Sequence, residues 1–240
     1  MREGLTEVVM LLDRSGSMSG LENDTIGGFN SMLARQKMQP GEAYLSVILF
    51  DNRSEVLYDR VDIREASPMT AEQYYVRGCT ALLDAVGGAI RHVQTIHRYA
   101  REEDRPDKTL FIITTDGMEN ASRQYSLAQV HRMISDAREK DHWEFIFLGA
   151  NIDAVEVAGR FGVRPDRAVR YEHDAEGTMR SYEAMDQAVT YARMAKSPAM
   201  MSGSFDEKDV LGGVREDYRK RHDGRDRLSK RNRRDPVSEE

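Results

Sequence analysis

Asp13, Ser15 and Ser17 place three side-chain oxygens at alternating positions of one short segment, Asp-Arg-Ser-Gly-Ser. Carboxylate and hydroxyl oxygens without His or Cys are ligands that suit a hard divalent cation such as Mg²⁺. Five apolar residues, 8–12, precede Asp13, and such an unbroken run is typical of a parallel strand that is buried on both faces. Asp13 is therefore predicted at the carboxyl end of a strand, the edge where open α/β sheets bind ligands. Taken alone, the motif also fits a polar turn that caps the next helix.

Two further polar positions are predicted at the same edge. Thr80 stands at the entrance of a helix, and Asp116 follows the apolar run 109–114. In a doubly wound sheet the first strand is central and the fourth lies beside it, so Asp13 and Asp116 are predicted to be neighbours. Two carboxylates that close repel each other, and a divalent cation between them removes that repulsion. The residues thus predict a small octahedral Mg²⁺ site.

The spacing of apolar residues predicts the strands and helices that position these residues. Segments with the spacing typical of a strand alternate along the chain with segments that have the spacing typical of a helix. This alternation predicts an α/β fold, a doubly wound (Rossmann-like), mostly parallel six-stranded sheet with one antiparallel edge strand and helices on both faces. The predicted strands are 8–12, 44–50, 54–61 (the antiparallel edge), 109–114, 143–148 and 167–171, and the predicted helices are 21–39, 81–99, 126–140, 152–161 and 176–195.

Composition indicates a globular protein with a very polar surface, since 40% of its 240 residues are hydrophobic and 32% are charged. The start of the sequence has no basic-then-apolar signal pattern, and no apolar run is long enough to cross a bilayer. The single cysteine, Cys79, excludes an internal disulfide and fits a reducing compartment, so we expect a cytoplasmic protein. We assign residues 1–196 to one domain. Residues 197–240 are predicted to be a polar, basic, disordered tail, because their apolar content is low.

The segments Asp13–Ser17, Gly-Cys-Thr-Ala-Leu-Leu-Asp-Ala around Thr80, and Thr-Asp-Gly around Asp116 resemble the von Willebrand factor A (VWA) family in order and spacing. In that family these positions form the metal-ion-dependent adhesion site (MIDAS), and all five are present here. The resemblance implies Mg²⁺ or Mn²⁺ held directly by Ser15 and Ser17. Asp13, Thr80 and Asp116 would coordinate it directly or through water. The sequence is most similar to the stand-alone intracellular bacterial and phage members.

Two classes of function follow from such a site. In the first, the chain is a protein-binding module, and an Asp or Glu carboxylate of a protein partner completes the metal shell. The resemblance further implies an adaptor for an AAA+ ATPase or a stress-response complex. In the second, the chain is a Mg²⁺-assisted hydrolase or phosphotransferase that uses the same site, which would require a general base or nucleophile beside the metal. The three motif loops contain neither His nor Lys, and Arg14 cannot act as a base, so we favour the binding module and expect no enzymatic activity.

Other candidate sites carry weaker signals. Cys79 with His92 and His97 could form a thiol nucleophile, but the two histidines are five residues apart and cannot face one point from a helix. Glu119 and Asn120 are close enough to Asp116 to support the metal site. The run 219–234 holds nine Lys or Arg and two Asp. We expect a solvated tail there and no membrane or nucleic-acid partner, with a phosphate contact or a fold back onto the acidic body as the alternatives.

Overall fold

The computed structural model describes the backbone of residues 1–232 and the side chains of residues 1–222. Its strands are β1 Arg2–Asp13, β2 Glu42–Phe50, β3 Ser54–Asp62, β4 Pro106–Thr115, β5 Glu144–Gly149 and β6 Ala168–Arg170. Its helices are α1 Glu22–Met38, α2 Leu82–Tyr99, α3 Leu127–Lys140, α4 Ala154–Arg160, α5 Ala175–Met194, α6 Pro198–Lys208 and α7 Gly212–Asn232.

The six strands form one sheet in the order β3-β2-β1-β4-β5-β6. Neighbouring strands are parallel, except that β3 pairs antiparallel with β2 at the edge. The predicted fold is therefore confirmed, with β1 in the centre and β4 beside it. In the register of this pair Leu12 lies opposite Thr114, so Asp13 and Asp116 leave the sheet side by side.

Both faces of the sheet are covered, which explains the unbroken apolar run of β1. Val8, Met10 and Leu12 pack beneath one helix layer, and Val9 and Leu11 pack beneath the other. The first layer contains α1, α5, α6 and α7, and the second contains α2, α3 and α4. All five of these strand residues are buried, because a parallel strand in the middle of such a sheet has no solvent-facing side.

Several helix boundaries follow from local capping. Ser126 forms a capping box with Gln129 at the start of α3, in which each side chain accepts from the other residue's backbone N–H. Asp174 caps α5 by accepting from the Gly177 backbone N–H, and Ser197 caps α6 by accepting from that of Met200. These caps fix where the chain turns back toward the sheet.

The segment from residue 197 onward differs from the predicted disordered tail, because α6 and α7 pack onto the sheet layer that holds α1 and α5. Five of its apolar side chains within residues 197–222 are buried, although others in that range, such as Met200, are exposed. Low apolar content was a poor guide because position, not number, decides whether a helix can dock. The buried side chains are Met201, Phe205, Val210, Leu211 and Val214.

The basic run is described only in part. Arg221 folds back onto the acidic body, with ion pairs to Asp174 at 2.6 Å and to Glu176 at 2.8 Å. The side chains of residues 223–234 lie outside the described residues, and so does the backbone of 233 and 234. Within residues 1–232, no helix is both long and apolar enough to cross a membrane.

Candidate metal centre

The first loop of the candidate site is held by hydrogen bonds to Asp13, the last residue of β1. The Ser15 backbone N–H donates to Asp13 Oδ1 at 2.7 Å, and the Thr115 hydroxyl donates to Asp13 Oδ2 at 2.6 Å. Ser15 Oγ then lies 3.0 Å from Ser17 Oγ, at the start of a single helical turn, Gly16–Met18. The alternating spacing of the motif thus brings two hydroxyls together above one buried carboxylate.

The loop that follows β4 supplies the second carboxylate. Ser17 Oγ donates to Asp116 Oδ1 at 2.5 Å, a contact between residues 99 positions apart in sequence. Asp13 and Asp116 are both about 1% exposed. The structure therefore brings together Asp13, Ser15, Ser17 and Asp116 at the carboxyl edge of the sheet, as the sequence predicts.

Thr80 enters the same edge from the loop before α2, and Gly117 shows how close it comes. A methyl group built on Gly117 would lie 3.3 Å from Ser17 Oγ and 3.4 Å from Thr80 Oγ1. Both hydroxyls therefore border the one small space that the missing side chain leaves open. The Thr80 hydroxyl has no hydrogen-bond partner among the described residues, so it is available to a ligand.

Backbone contacts rather than the hydroxyl hold Thr80 in place. Its N–H donates to Asn120 Oδ1 at 2.9 Å, and its carbonyl accepts from the Asn120 N–H at 3.0 Å. Glu119 Oε2 accepts from the Leu83 N–H at 2.8 Å, in the first turn of α2. Asn120 and Glu119 thus connect the loop that contains Asp116 to the loop that contains Thr80. The sequence predicts that these two residues support the metal site.

Burial shapes the electrostatics of the two carboxylates. Loss of solvent raises the pKa of Asp13 to about 6, against the opposing hydrogen bonds from Thr115 and Ser15. Burial also raises the pKa of Asp116, although the Ser17 hydrogen bond and the nearby His173 lower it in part. No Lys or Arg within residues 1–222 is paired with either carboxylate, so the negative charge of the site is poorly compensated by the protein.

Arg14, inside the motif itself, serves a different cluster. Its guanidinium lies 2.9 Å from Asp51 Oδ2 and 2.6 Å from Glu55 Oε2, both in or next to the β2–β3 hairpin. Arg77 Nε also lies 2.8 Å from Asp51 Oδ2. Burial raises the pKa of Asp51, but the hydrogen bonds from Arg77, Arg53 and Arg14 outweigh that effect and hold it below its usual value. Arg14 therefore anchors the loop and leaves the oxygen cluster free of positive charge.

A divalent cation fits the residues present. Asp116 Oδ2 is buried and has no hydrogen-bond partner among the described residues, an arrangement that is costly unless another group satisfies it. The converging donors are two carboxylates and three hydroxyls, an all-oxygen set that suits Mg²⁺ or Mn²⁺. Within the described residues, no group of three or more His, Cys, Asp or Glu side chains is arranged to hold a metal, so the candidate site depends on its hydroxyls as well as on its two carboxylates.

Sequence reasoning missed His173, in the loop between β6 and α5. Its Nδ1 lies 3.5 Å from Asp116 Oδ2, and its side chain is 24% exposed. No motif marks this residue. Its only signal is position, because it follows the last predicted strand at the same carboxyl edge where the other candidates stand.

The thiol hypothesis is not supported by the geometry. Cys79 is exposed, whereas His92 pairs with Asp59 on β3 and His97 pairs with the buried Glu7 of β1. The two histidines thus contact different strands and neither contacts the thiol. They do not form a Cys–His pair.

Neither a family model nor a curated protein matches this chain. Solved structures do match, among them a von Willebrand factor type A protein from Catenulispora acidiphila, with a TM-score of 0.54 at 16% identity. A second is proximal thread matrix protein 1 from the mussel byssus, described with a zinc-occupied MIDAS motif, with a TM-score of 0.53 at 14% identity. A third is the pilus adhesin SpaC from Lactobacillus rhamnosus GG in its open conformation, with a TM-score of 0.56 at 12% identity.

Each of these three matches covers 78% of this chain, and it covers 42%, 46% and 30% of the respective neighbours. This chain thus spans less than half the length of each neighbour. At these identities the likeness establishes the architecture. The chain has the von Willebrand factor A fold, and its candidate metal centre lies at the carboxyl edge of that fold.

Proposed function

We propose that this chain is a divalent-metal-dependent protein-binding module. Asp13, Ser15, Ser17, Thr80 and Asp116 would hold Mg²⁺ or Mn²⁺, and a carboxylate from a protein partner would complete the coordination shell. The observation that carries the proposal is the convergence of two buried carboxylates and three hydroxyls with no Lys or Arg, among the described residues, to neutralise them.

The chemistry that the cation supplies is attraction for an anionic oxygen at an open coordination position. The protein residues provide the remainder of the shell and restrict which groups can approach. Ser17 is exposed whereas Asp13 and Asp116 are buried, so the side of the site that faces solvent is the one at Ser17. A partner's Asp or Glu would approach from that side.

Two neighbours agree with this function. One is described with zinc at its MIDAS motif, and another is described as a pilus adhesin. Both observations belong to those proteins, and they support a divalent metal and a binding role here as proposals. An adaptor role with an AAA+ ATPase or a stress-response complex is the narrower proposal. The unpaired thiol of Cys79 agrees with the reducing, cytoplasmic compartment that we expect.

Metal-assisted hydrolysis is the competing function, and among the described residues His173 is a basic side chain that pairs with a candidate ligand, Asp116. Its Nδ1 faces Asp116 Oδ2, whereas the hydroxyl cluster lies at Oδ1. A general base must reach the proton that it removes, usually within about 3.2 Å or through one water. Because Nδ1 of His173 faces Asp116, Nε2 is the nitrogen left for a substrate, and the hydrolase would require Nε2 to act as that base.

The test measures whether a bound cation keeps an open position for a carboxylate. Mn²⁺ is bound to the protein, and water-proton relaxation is followed while a short Asp-containing peptide is added. We expect bound Mn²⁺ to enhance relaxation and the peptide to reduce that enhancement as its carboxylate displaces water. The same peptide with Asn in place of Asp is the control and should have no effect.

Asp and Asn peptides that behave alike would contradict the proposed binding mode. Turnover of phosphate esters that requires Mg²⁺ and is lost in Asp116→Ala would instead establish the hydrolase. Relaxation that Mn²⁺ enhances equally in wild type and in Asp13→Ala would show that the metal binds elsewhere.

A further inference from the structure

His173 and Asp116 present two buried polar atoms that face each other without a hydrogen bond. Asp116 Oδ2 and His173 Nδ1 are each inaccessible to solvent, and neither has a hydrogen-bond partner among the described residues. They lie 3.5 Å apart. Buried atoms without a hydrogen bond are uncommon in folded proteins, and two of them opposite each other require an explanation.

The two oxygens of Asp116 serve different neighbours. Oδ1 accepts from the Ser17 hydroxyl, and Oδ2 is directed to the imidazole. Since the hydroxyls of Ser15 and Thr80 also lie on the Ser17 side, the imidazole stands behind the carboxylate as seen from them. In metal sites, groups in this position orient the ligand instead of binding the metal.

We propose that His173 is a positioning residue of the metal site, which holds Asp116 with Oδ1 toward the hydroxyl cluster, and that helix α7 holds His173 in place. The inference rests on the proposed function, because it assigns His173 to that same site. If His173 has this role, metal affinity depends on residues outside the sequence motif, among them residues of helix α7.

The loop that carries His173 is tightly constrained on its own. The Tyr171 backbone N–H donates to the Gly149 carbonyl at 3.0 Å, which continues the β5–β6 pairing past the end of β6. Asp174 Oδ1 accepts from the Gly177 N–H at 2.8 Å and so caps α5. Gly177 is required at this turn, since a side-chain carbon there would lie 2.0 Å from the Glu172 carbonyl oxygen. His173 therefore stands between two fixed points.

Helix α7 contacts both sequence neighbours of His173. Arg221 Nη1 lies 2.6 Å from Asp174 Oδ2, and its Nη2 lies 2.8 Å from Glu176 Oε2. On the other side His222 Nε2 lies 3.6 Å from Glu172 Oε2. The Arg221 side chain is 20% exposed, so its ion pairs with Asp174 and Glu176 are partly shielded from solvent. Loss of Arg221 would release the loop on the α5 side.

The experiment titrates Mg²⁺ and Mn²⁺ into the full chain by calorimetry, for wild type, His173→Ala, His173→Gln and Arg221→Ala. Arg215→Ala is the matched control, because Arg215 lies on the same helix and pairs with Asp209 and the Asp166 carbonyl, away from the His173 loop. Asp116→Ala serves as the variant that lacks the ligand itself. Circular dichroism and thermal unfolding verify that each variant is folded.

We expect His173→Ala to weaken both metals by the same factor, about 10-fold, the lower end of what supporting residues contribute in metal sites. His173→Gln retains an N–H donor and should lose less affinity. Arg221→Ala should weaken binding by a smaller factor than His173→Ala, since the loop keeps its other contacts, and Arg215→Ala should leave it unchanged. Pulsed EPR of bound Mn²⁺ should show no nitrogen coupling from His173.

Unchanged affinity in His173→Ala, with Asp116→Ala inactive in binding, would overturn this inference and leave the proposed function standing. A nitrogen coupling that His173→Ala removes would make His173 a direct ligand and overturn the positioning role. Equal behaviour of Arg221→Ala and Arg215→Ala would overturn the part assigned to α7. A wild-type chain that binds neither metal would overturn both the proposed function and this inference.

Discussion

Ser17 Oγ lies 2.5 Å from Asp116 Oδ1, and this hydrogen bond joins the loop after β1 to the loop after β4. The contact exists because β1 and β4 are adjacent parallel strands whose carboxyl ends meet at one edge of the sheet. It places a hydroxyl and a carboxylate of two distant segments within reach of one small ion. The predictions that follow test what this arrangement does to metal affinity and to stability.

Asp13→Asn should remove metal binding and stabilise the metal-free protein at pH 7.5. The amide keeps an acceptor for the Ser15 N–H while it removes a buried charge that has no Lys or Arg partner among the described residues. We expect a gain on the order of 1–3 kcal/mol in the free energy of unfolding, from a pKa raised by roughly two units. Urea unfolding in EDTA measures it.

Asp51→Asn is the matched control for that substitution. Asp51 is equally buried, but it pairs with Arg14 and Arg77, and its pKa is below its usual value. Removal of one partner of a buried pair leaves the other charges uncompensated, so we expect a loss of about 3–5 kcal/mol. Two Asp→Asn substitutions should thus change stability in opposite directions, and a loss in both would contradict our view of Asp13.

The contribution of Asp13 to the stability of the metal-free protein should fall as pH rises through the range of about 4 to 6. The folded pKa of Asp13, about 6, is above its ordinary value of 3.8, so between these values the folded state binds more protons than the unfolded state. The unfolding free energy of wild type minus that of Asp13→Asn should therefore fall across this window and be flat above it. A difference that rises with pH would contradict the raised pKa. Metal affinity should weaken below about pH 6, because the cation requires the ionised carboxylate.

Thr80→Ala should weaken partner binding and spare much of the metal affinity. The Thr80 backbone is held by Asn120, and its hydroxyl makes no hydrogen bond among the described residues, so the loop keeps its shape when the hydroxyl is removed. Calorimetry with Mn²⁺, followed by titration of a carboxylate peptide, separates the two effects. A variant that loses all metal affinity would show that Thr80 is an indispensable ligand.

Phe205→Ala should destabilise the protein by about 3–5 kcal/mol, because Phe205 of α6 is 1% exposed within the core. Met200→Ala, in the same helix, changes a side chain that is 51% exposed and should alter stability by less than about 0.5 kcal/mol. Chemical unfolding of both variants provides the comparison. Similar stabilities would mean that α6 is not packed on the sheet and that the tail from residue 197 is disordered after all.

The central architecture could be predicted from the sequence because its signals are local and repeated. The run before Asp13 is apolar at every position, as a doubly covered strand must be, whereas no residue of the strand after Phe50 is fully buried, as fits an edge strand. Asp116 could be placed beside Asp13 because strand order in this fold is limited to few alternatives.

Two features could not be predicted for physical reasons. Helices α6 and α7 dock through isolated apolar residues such as Met201 and Val214, and charged side chains between them conceal the pattern from any average over the segment. His173 lies far from the three motif segments in sequence, in the loop between β6 and α5. Only the folded chain brings it close to Asp116. The sequence carries no spacing rule for such a contact.

The most direct test of the metal centre is anomalous diffraction from a crystal soaked in Mn²⁺. We predict one strong peak at about 2.0–2.3 Å from Ser15 Oγ and Ser17 Oγ, with Asp13, Thr80 and Asp116 in direct or water-mediated contact with it. The peak should be absent from crystals of Asp13→Asn soaked in the same way. A wild-type crystal with no peak between these five side chains, or with its strongest peak at another acidic cluster, would contradict the account.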